Sequence, residues 1–443
     1  MEITIIIFNT ILFLISNNFK SKNIAFDPIL IFSFVHLQII ISLVIGYNFY
    51  LEELNTNNWS LFKEDNYIRI LIYNSIFHSI TFITYHLISK REIRLELNDI
   101  IIESHKMKTH YYLTHSKVWF FIFCLLSIID LIVFLLLKYI NLEYYYYFRY
   151  YYSSIILISA NIFFSTLALK LTGNYLKIII VCIIPLIIFM INSFIFSENP
   201  VNRGGIVSTI IFILTFISIY DYKFRFFLRD NILYGLIAVA VLLALLNFLD
   251  GKDINILDFV LTLITSFEHR ILENQSLIIN SVNNNEIIMF KGSSYLNSFV
   301  EFIYFTGEFN LSEWFILTFY PHLVSGVDND LQVYKIGFAF SFLAEGYLNF
   351  GFYGIFFASI LAAVYLKIIR GFGNASSLSR SILYSSFAAV PYFIYRYHSL
   401  YFLKKLQIVL ISIFIIYLVY LFVGLFVANK NSNHEKNEKI KSS

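Results

Sequence analysis

Cysteine is nearly absent from this chain and charge is scarce. Only two of 443 residues are cysteine, Cys124 and Cys182. Both sit inside apolar runs, where they behave as small hydrophobes, so the sequence holds no disulfide framework and no clue to a redox compartment. Charged residues make up 14% of the chain against 58% apolar residues. So little charge cannot clothe a water-soluble globule, and that class is excluded. An excess of one sign is missing as well. The formal charge is +3, and no Lys/Arg block is interleaved with aromatics, so there is no footprint for nucleic acid. The signatures of soluble enzymes are also lacking: no Walker A loop, no Gly-rich dinucleotide fingerprint, no His-Glu-x-x-His and no Cys-x-x-Cys. Nothing points to ATP, a cofactor or a metal. His105, His110 and His115 lie five apart, a spacing that does not stack them on one helical face, and they read as solvated.

What the chain has is apolar runs of about 20 residues, each able to cross a hydrocarbon core as a helix. They fall near 2–16, 28–50, 67–89, 118–138, 154–172, 176–196, 204–220, 232–249, 350–369, 381–399 and 406–428. The expectation is an all-α, polytopic membrane protein of about eleven transmembrane helices. The first run lacks a basic leader and a small-residue cleavage site, and so reads as a retained span. One set of short loops carries 20 Lys and Arg, among them Lys90, Arg91, Arg225 and Arg370, and the opposite set carries 8. By the positive-inside rule the first set is cytoplasmic. Four regions follow. Residues 1–249 form eight spans, 250–349 a large outer loop with interfacial helices, 350–428 three further spans, and 429–443 a disordered cytoplasmic tail. Loops of such length are usually functional.

The apolar pattern from Ile336 to Ile369 is longer than one span needs, and Glu345, Gly346, Asn349 and Gly351 interrupt it. It splits into a short outer-leaflet helix and a true span, which puts Glu345 at the outer boundary. An acid flanked by apolar residues needs a partner or a wet cavity. Arg203, Arg270 and Arg396 also lie on the outer side. Arginine binds phosphate oxygens bidentately and keeps its charge when desolvated, so the three suit a lipid diphosphate. A carboxylate with a raised pKa suits a general base that takes a proton from an acceptor hydroxyl. Nucleotide sugars are cytosolic, so sugar transfer on the outer face requires a lipid-linked donor.

The stretch Ser341 to Gly354, SFLAEGYLNFGFYG, resembles the Glu, aromatic, Asn-Phe-Gly and Gly pattern of the Wzy-type oligosaccharide repeat-unit polymerases of bacterial O-antigen and capsule assembly. Arg203-Gly204, Pro321 and Arg396 are similarly placed, and the resemblance is confined to about residues 200–400. It implies a GT-C-like polymerase/ligase architecture in the bacterial cytoplasmic membrane, with the active face periplasmic or extracellular. It also implies a reaction in which a growing glycan on undecaprenyl diphosphate is moved onto a new lipid-linked repeat unit. Carried over, Glu345 is the base or acceptor-orienting group, with His322 a spare base. Arg203, Arg270 and Arg396 hold the diphosphate, and Asn349 and Tyr347 meet the acceptor sugar; no metal or cofactor is needed. The implied partners are undecaprenyl-diphosphate-linked oligosaccharide, membrane lipids, and a chain-length regulator and a flippase of the same pathway. An O-antigen ligase and a lipid-linked oligosaccharide flippase are the competing readings. A flippase is expected to show paired repeats, conduit charges and short loops.

Overall fold

The Gly351 position sets the local architecture. In the computed structural model its φ is +58°, a left-handed conformation open to glycine, and its N–H closes on the carbonyl of Tyr347 at 2.8 Å. Two helices therefore meet there end to end without merging. The structure describes residues 1–18, 26–49, 64–89, 116–140, 142–170, 184, 203–231, 269–304, 311–320, 340–373, 378–395 and 397–441. Among them every regular element is a helix and no strand occurs. The helices are α1 (Glu2–Asn18), α2 (Pro28–Phe49), α3 (Glu64–Ser89), α4 (Ser116–Ile140), α5 (Leu142–Leu169), α6 (Arg203–Tyr220), α7 (Tyr222–Asp230), α8 (His269–Asn283), α9 (Ser293–Tyr304), α10 (Leu311–Phe319), α11 (Phe342–Phe350), α12 (Tyr353–Phe372), α13 (Leu378–Phe387), α14 (Val390–Phe393) and α15 (Ser399–Lys441).

Among the described residues two helical segments are long and apolar enough to cross a bilayer, Tyr353–Phe372 and Ser399–Leu421, and several shorter apolar helices accompany them. Both carry exposed apolar side chains along one face: Phe356, Ile360, Val364 and Ile368 on α12, and Leu410, Phe414, Tyr417 and Leu421 on α15. A long apolar face left uncovered fits a lipid solvent better than water. The runs expected near 176–196 and 232–249 lie outside the described residues, apart from Ile184. The run at 381–399 is not one continuous helix: α13 and α14 are short, separated by a turn at Ala388–Ala389 just before Pro391, whose missing N–H cannot continue a helix ladder. The helix α15 continues to Lys441, through the tail expected to be disordered.

The chain divides into two units. One comprises residues 1–94, 227–374 and 387–404. Its centre is α12, with α3 and α11 packed against it, while α1 and α2 pair with each other and α8 lies on α11. The approach of α11 to α12 depends on glycine. A Cβ on Gly346 or on Gly354 would collide with the backbone of the other. Ala358 and Ala362 continue the small-residue face at spacings of four, the pattern that lets helix backbones touch. The Thr81 hydroxyl adds a bond to the Ser359 carbonyl at 3.3 Å, tying α3 to α12.

Buried polar groups join the remaining helices of this unit. The His36 and His78 rings stack at 4.2 Å, both completely buried. His36 Nε2 and His78 Nδ1 both meet Asn9 Oδ1, at 2.9 and 3.3 Å. The Tyr395 hydroxyl donates to His36 Nδ1 at 2.8 Å, and the Ser33 hydroxyl meets His78 Nε2 at 3.0 Å. With both rings neutral every nitrogen has a partner, and α1, α2, α3 and the turn after α14 are tied at one point. Near the start of α2, Asp27 caps the helix by accepting the Ile29 N–H at 3.2 Å, and accepts the Tyr85 hydroxyl at 3.0 Å. Arg370 Nη1 donates to that same hydroxyl at 3.1 Å and lies 3.7 Å from Asp27 Oδ2. Arg370, counted above as a cytoplasmic charge, thus pins α12 to α2 and α3.

The second unit comprises residues 95–226, 375–386 and 405–443. Here α5 packs between α4 and α6. Asp221 ends α6 and caps α7, accepting the Lys223 and Phe224 N–H groups at 3.0 and 3.1 Å. Arg225 folds back to the last carbonyls of α6, with Nε 2.8 Å from Ser218 O and Nη2 2.7 Å from Ile219 O, a cation set against the negative helix end.

Because only hydrogen fits between α11 and α12, Gly346→Ala and Gly354→Ala should each destabilise the protein by on the order of 3 kcal/mol. Gly371 on α12 has nothing within 4 Å of an added Cβ, so Gly371→Ala should stabilise it, by up to about 1 kcal/mol. Thermal unfolding in detergent reads both; equal midpoints for all three variants would refute the close-packing account.

Candidate functional site

The site begins at the N-terminus of α11. Ser341 caps this helix, its Oγ accepting the Ala344 N–H at 3.2 Å. The same oxygen accepts from Gln275 Nε2 of α8 at 2.9 Å, and Gln275 Oε1 accepts from Asn74 Nδ2 of α3, also at 2.9 Å. Two neighbouring helices thereby fix where α11 starts and how it is rotated. Glu345 lies in its first turn, where a helix N-terminus favours negative charge.

The Glu345 side chain is fully buried. Its Oε1 accepts the Ser294 hydroxyl of α9 at 3.0 Å and the Ser399 hydroxyl of α15 at 2.9 Å, and its Oε2 accepts the Ser399 N–H at 2.7 Å. One carboxylate thus joins α9, α11 and the N-terminus of α15. No Lys or Arg pairs with it among the described residues. Being nine residues long, α11 is too short to span a membrane. Burial pushes the Glu345 carboxyl up to about 7, against the downward pull of the Ser399 and Ser294 donors. A group that titrates near neutrality is suited to exchange protons.

One turn on, Asn349 shares the face of Glu345. Its Nδ2 donates to Ser294 Oγ and to the Glu345 carbonyl, both at 2.7 Å, and its Oδ1 accepts the Gly292 N–H at 2.9 Å. The Phe290 and Lys291 N–H groups donate to the carbonyls of Leu348 and Asn349 at 3.1 and 3.0 Å. The 290–292 turn therefore closes the C-terminal end of α11. Beyond it opens a cavity of about 510 Å³, lined by Met289, Lys291, Asn349, Phe350, Tyr353 and Phe357. Asn349 is both a wall of this cavity and a neighbour of the Ser294 hydroxyl that bonds Glu345.

Of the residues that the sequence singles out, Glu345 and Asn349 come together. Tyr347 does not join them: half a turn round α11, its hydroxyl donates to Asn283 Oδ1 at 2.8 Å and its ring stacks on Tyr73 at 5.7 Å. The amide of Asn349 meets the Gly292 N–H, the Ser294 hydroxyl and the Glu345 carbonyl, and so holds Ser294 and the turn in place. Arg203 opens α6 and Arg270 is the second residue of α8; their side chains, and Arg396 and His322 altogether, lie outside the described residues. Sequence reasoning missed Ser294, Ser399 and Gln275. Isolated hydroxyls and amides in apolar helices form no motif, and only their shared partner marks them out. It also missed His398, which precedes Ser399: its ring is buried edge-on to Phe340 at 6.4 Å, and its Nδ1 has no hydrogen-bond partner.

No protein-family model, no curated protein and no solved structure matches the chain.

The raised Glu345 value fixes a sign. The unfolded carboxyl has the ordinary value of 4.5 and the folded one about 7, so the fold binds the proton more tightly. This contribution to stability is complete below about pH 4.5, is lost as pH rises through about 7, and amounts to about 3 kcal/mol. Glu345→Gln should abolish that part of the pH dependence. Unfolding free energies of both proteins across this window check it; parallel curves would mean that the carboxyl does not titrate there.

Proposed function

We propose that the protein is a polytopic polymerase of about eleven spans in a bacterial cytoplasmic membrane, joining lipid-linked oligosaccharide repeat units on the outer face. The observation that carries this reading is the Glu345 centre: a buried carboxylate near neutral pKa, held by hydroxyls, one residue chain away from a cavity between helix ends. The resemblance of Ser341 to Gly354 to the Wzy-type pattern supports it. In the proposed reaction the acceptor hydroxyl oxygen attacks the anomeric carbon of the growing glycan. The bond from that carbon to the diphosphate oxygen breaks, and polyprenyl diphosphate leaves with the bonding electron pair. The acceptor proton passes to Glu345 by way of the Ser294 hydroxyl, with His322 as a spare base. Arg203, Arg270 and Arg396 neutralise the leaving diphosphate, a role that matches their outer-side placement in the sequence.

Two experiments test the reading. In a strain lacking the gene, wild-type protein should restore a ladder of surface glycan. Glu345→Gln, present at normal levels, should give molecules capped with a single repeat, and its turnover should fall by about 10²-fold or more. A full ladder from the variant would remove Glu345 from the reaction, and loss of every repeat in the deletion strain would favour a flippase or ligase. For Arg203, Arg270 and Arg396, substitution by Ala and by Lys should both shorten the ladder, since Lys cannot bind an oxygen pair bidentately. Full length with Lys at any of them would reduce that residue to a simple charge.

A further inference from the structure

Helix α9 is built inside out. Its exposed face carries Leu296, Phe299, Val300 and Ile303, between 39% and 63% exposed. The polar side chains Ser294, Ser298 and Glu301 are buried instead, none more than 4% exposed. They are spaced four and three apart, so they form one stripe along the helix. Burying polar groups is unfavourable unless each finds a partner, and the stripe therefore calls for an explanation.

Both ends of the stripe are pinned to the start of α15. At one end the Ser294 and Ser399 hydroxyls meet on Glu345 Oε1. At the other, Lys404 Nζ is bonded to Glu301 Oε1. From Ser294 to Glu301 is about 10 Å of helix and from Ser399 to Lys404 about 8 Å, so the first turns of α15 run alongside α9 in the same direction. Between the pinned ends the polar groups are unmatched. Ser298 Oγ and Glu301 Oε2 are buried without a hydrogen-bond partner. On the α15 side the same holds for His398 Nδ1, whose ring is near enough to Lys404 to feel its charge. Ordered water is how native interiors satisfy such groups. The Lys404 side chain is 33% exposed and directly precedes the expected run 406–428, at its outer end. The stripe thus leads from the enclosed Glu345 carboxyl to a charged group at the surface.

A base that no solvent reaches still has to lose its proton before the next turnover, and the side that delivered the proton is then filled by product. We propose that the α9 stripe is the proton exit of Glu345, a single file of Ser294, Ser298, Glu301 and the waters between them that ends beside Lys404. The inference rests on the polymerase reading for the reaction that protonates Glu345, and adds Ser298 and Glu301 as the residues that reset it. In the release step the O–H bond of the Glu345 carboxylic acid breaks and its proton goes to Ser294 Oγ. The Ser294 hydroxyl proton passes to a first water and a proton of that water to Ser298 Oγ. The Ser298 hydroxyl proton passes to a second water, and a proton of that water to Glu301 Oε2. Solvent water beside Lys404 takes the proton from Glu301. Each hydroxyl and water gives one proton and gains one, so the net change is a Glu345 carboxylate and one proton in solvent. About 10 Å is spanned in this way by two waters at hydrogen-bond spacing. Among the described residues Tyr295 and Tyr365 also feel the Glu345 charge, and neither belongs to the stripe.

The test follows the proton on Glu345 itself. Full-length protein in lipid nanodiscs, buffered below the Glu345 midpoint of about 7, is diluted into D₂O. The infrared carboxylic-acid band that Glu345→Gln lacks is timed as it shifts on deuteration. Ser298→Ala and Glu301→Gln should each slow this exchange by about tenfold or more, the effect of one lost transfer step, with the midpoint of the band unchanged. Since Ser298 has no protein partner, its replacement by Ala should leave the fold intact. Glu301→Asp keeps a carboxylate and should exchange close to the wild-type rate. Wild-type rates in both Ser298→Ala and Glu301→Gln would overturn the route and send the proton out through the cavity, with the polymerase reading untouched. A shifted midpoint in either variant would also overturn it, because the stripe would then act on the charge of Glu345 and not on the path. Absence of the band from the wild-type protein would remove the route together with the role of Glu345 as a base. The polymerase reading fails separately, on a full glycan ladder from Glu345→Gln.

Discussion

Two backbones touch where Gly346 of α11 faces Gly354 of α12, and the site depends on that contact. With any side chain at either position α11 would be pushed outward. Glu345 and Asn349 belong to the same two turns of α11, so they would move with it, away from Ser294 and Ser399. The contact also explains the turn between the helices. A nine-residue helix that must lie against the start of the next one can return only through a tight reversal, and Gly351 with its positive φ provides it. Packing, reversal and the position of the carboxylate are thus one constraint expressed at three glycines.

Around this contact the unit is organised by polar groups that cannot stay unpaired in an apolar interior. Each is met by a residue distant in sequence: Asn74 by Gln275, His36 by Tyr395, Asp27 by Tyr85 and Arg370, Glu345 by Ser294 and Ser399. In lipid the apolar contacts between helices are barely selective, since hydrocarbon solvates leucine as well as another helix does. Pairing of this kind can therefore decide which helices meet and at what rotation. The 394–399 connector illustrates it. It is held at one end by Tyr395 on His36 and at the other by Ser399 on Glu345, and the stack of Phe402 on Tyr365 at 3.8 Å fixes the start of α15 behind it.

The sequence is informative where chemistry and periodicity coincide. Apolar runs announce the helices, and the break in one of them announces Glu345, because an acid and two glycines in a hydrophobic stretch violate the local pattern. The continuous run at 381–399 hides a break, since hydropathy does not register the turn before Pro391 that splits it into α13 and α14. Tyr347 stands apart from Glu345 for another reason. Neighbours in a motif need not be neighbours on a helix face, and residues two apart point to opposite sides. Ser294, Gln275 and Ser399 leave no trace in the sequence at all. Serine and glutamine are common, their spacing from Glu345 is 51, 70 and 54 residues, and what unites them is the fold.

The closure of Glu345 bears on how such a centre could work. Three hydrogen bonds occupy the carboxylate and no solvent reaches it. At about 1.5–3 kcal/mol for each bond to a charged group, exposing it fully would cost on the order of 5 kcal/mol. That exceeds what thermal fluctuation supplies often, but it is within the binding energy of a large lipid-linked glycan. Opening at Ser399 would also require moving the start of α15 and its ring stack. Opening at Ser294 needs only a hydroxyl rotation on α9, where Asn349 Nδ2 is already bonded to the same oxygen. In the proposed reaction the Ser294 side is therefore the lower-cost path for the proton. The base stays enclosed, and protected from bulk water, until a substrate fills the adjoining space.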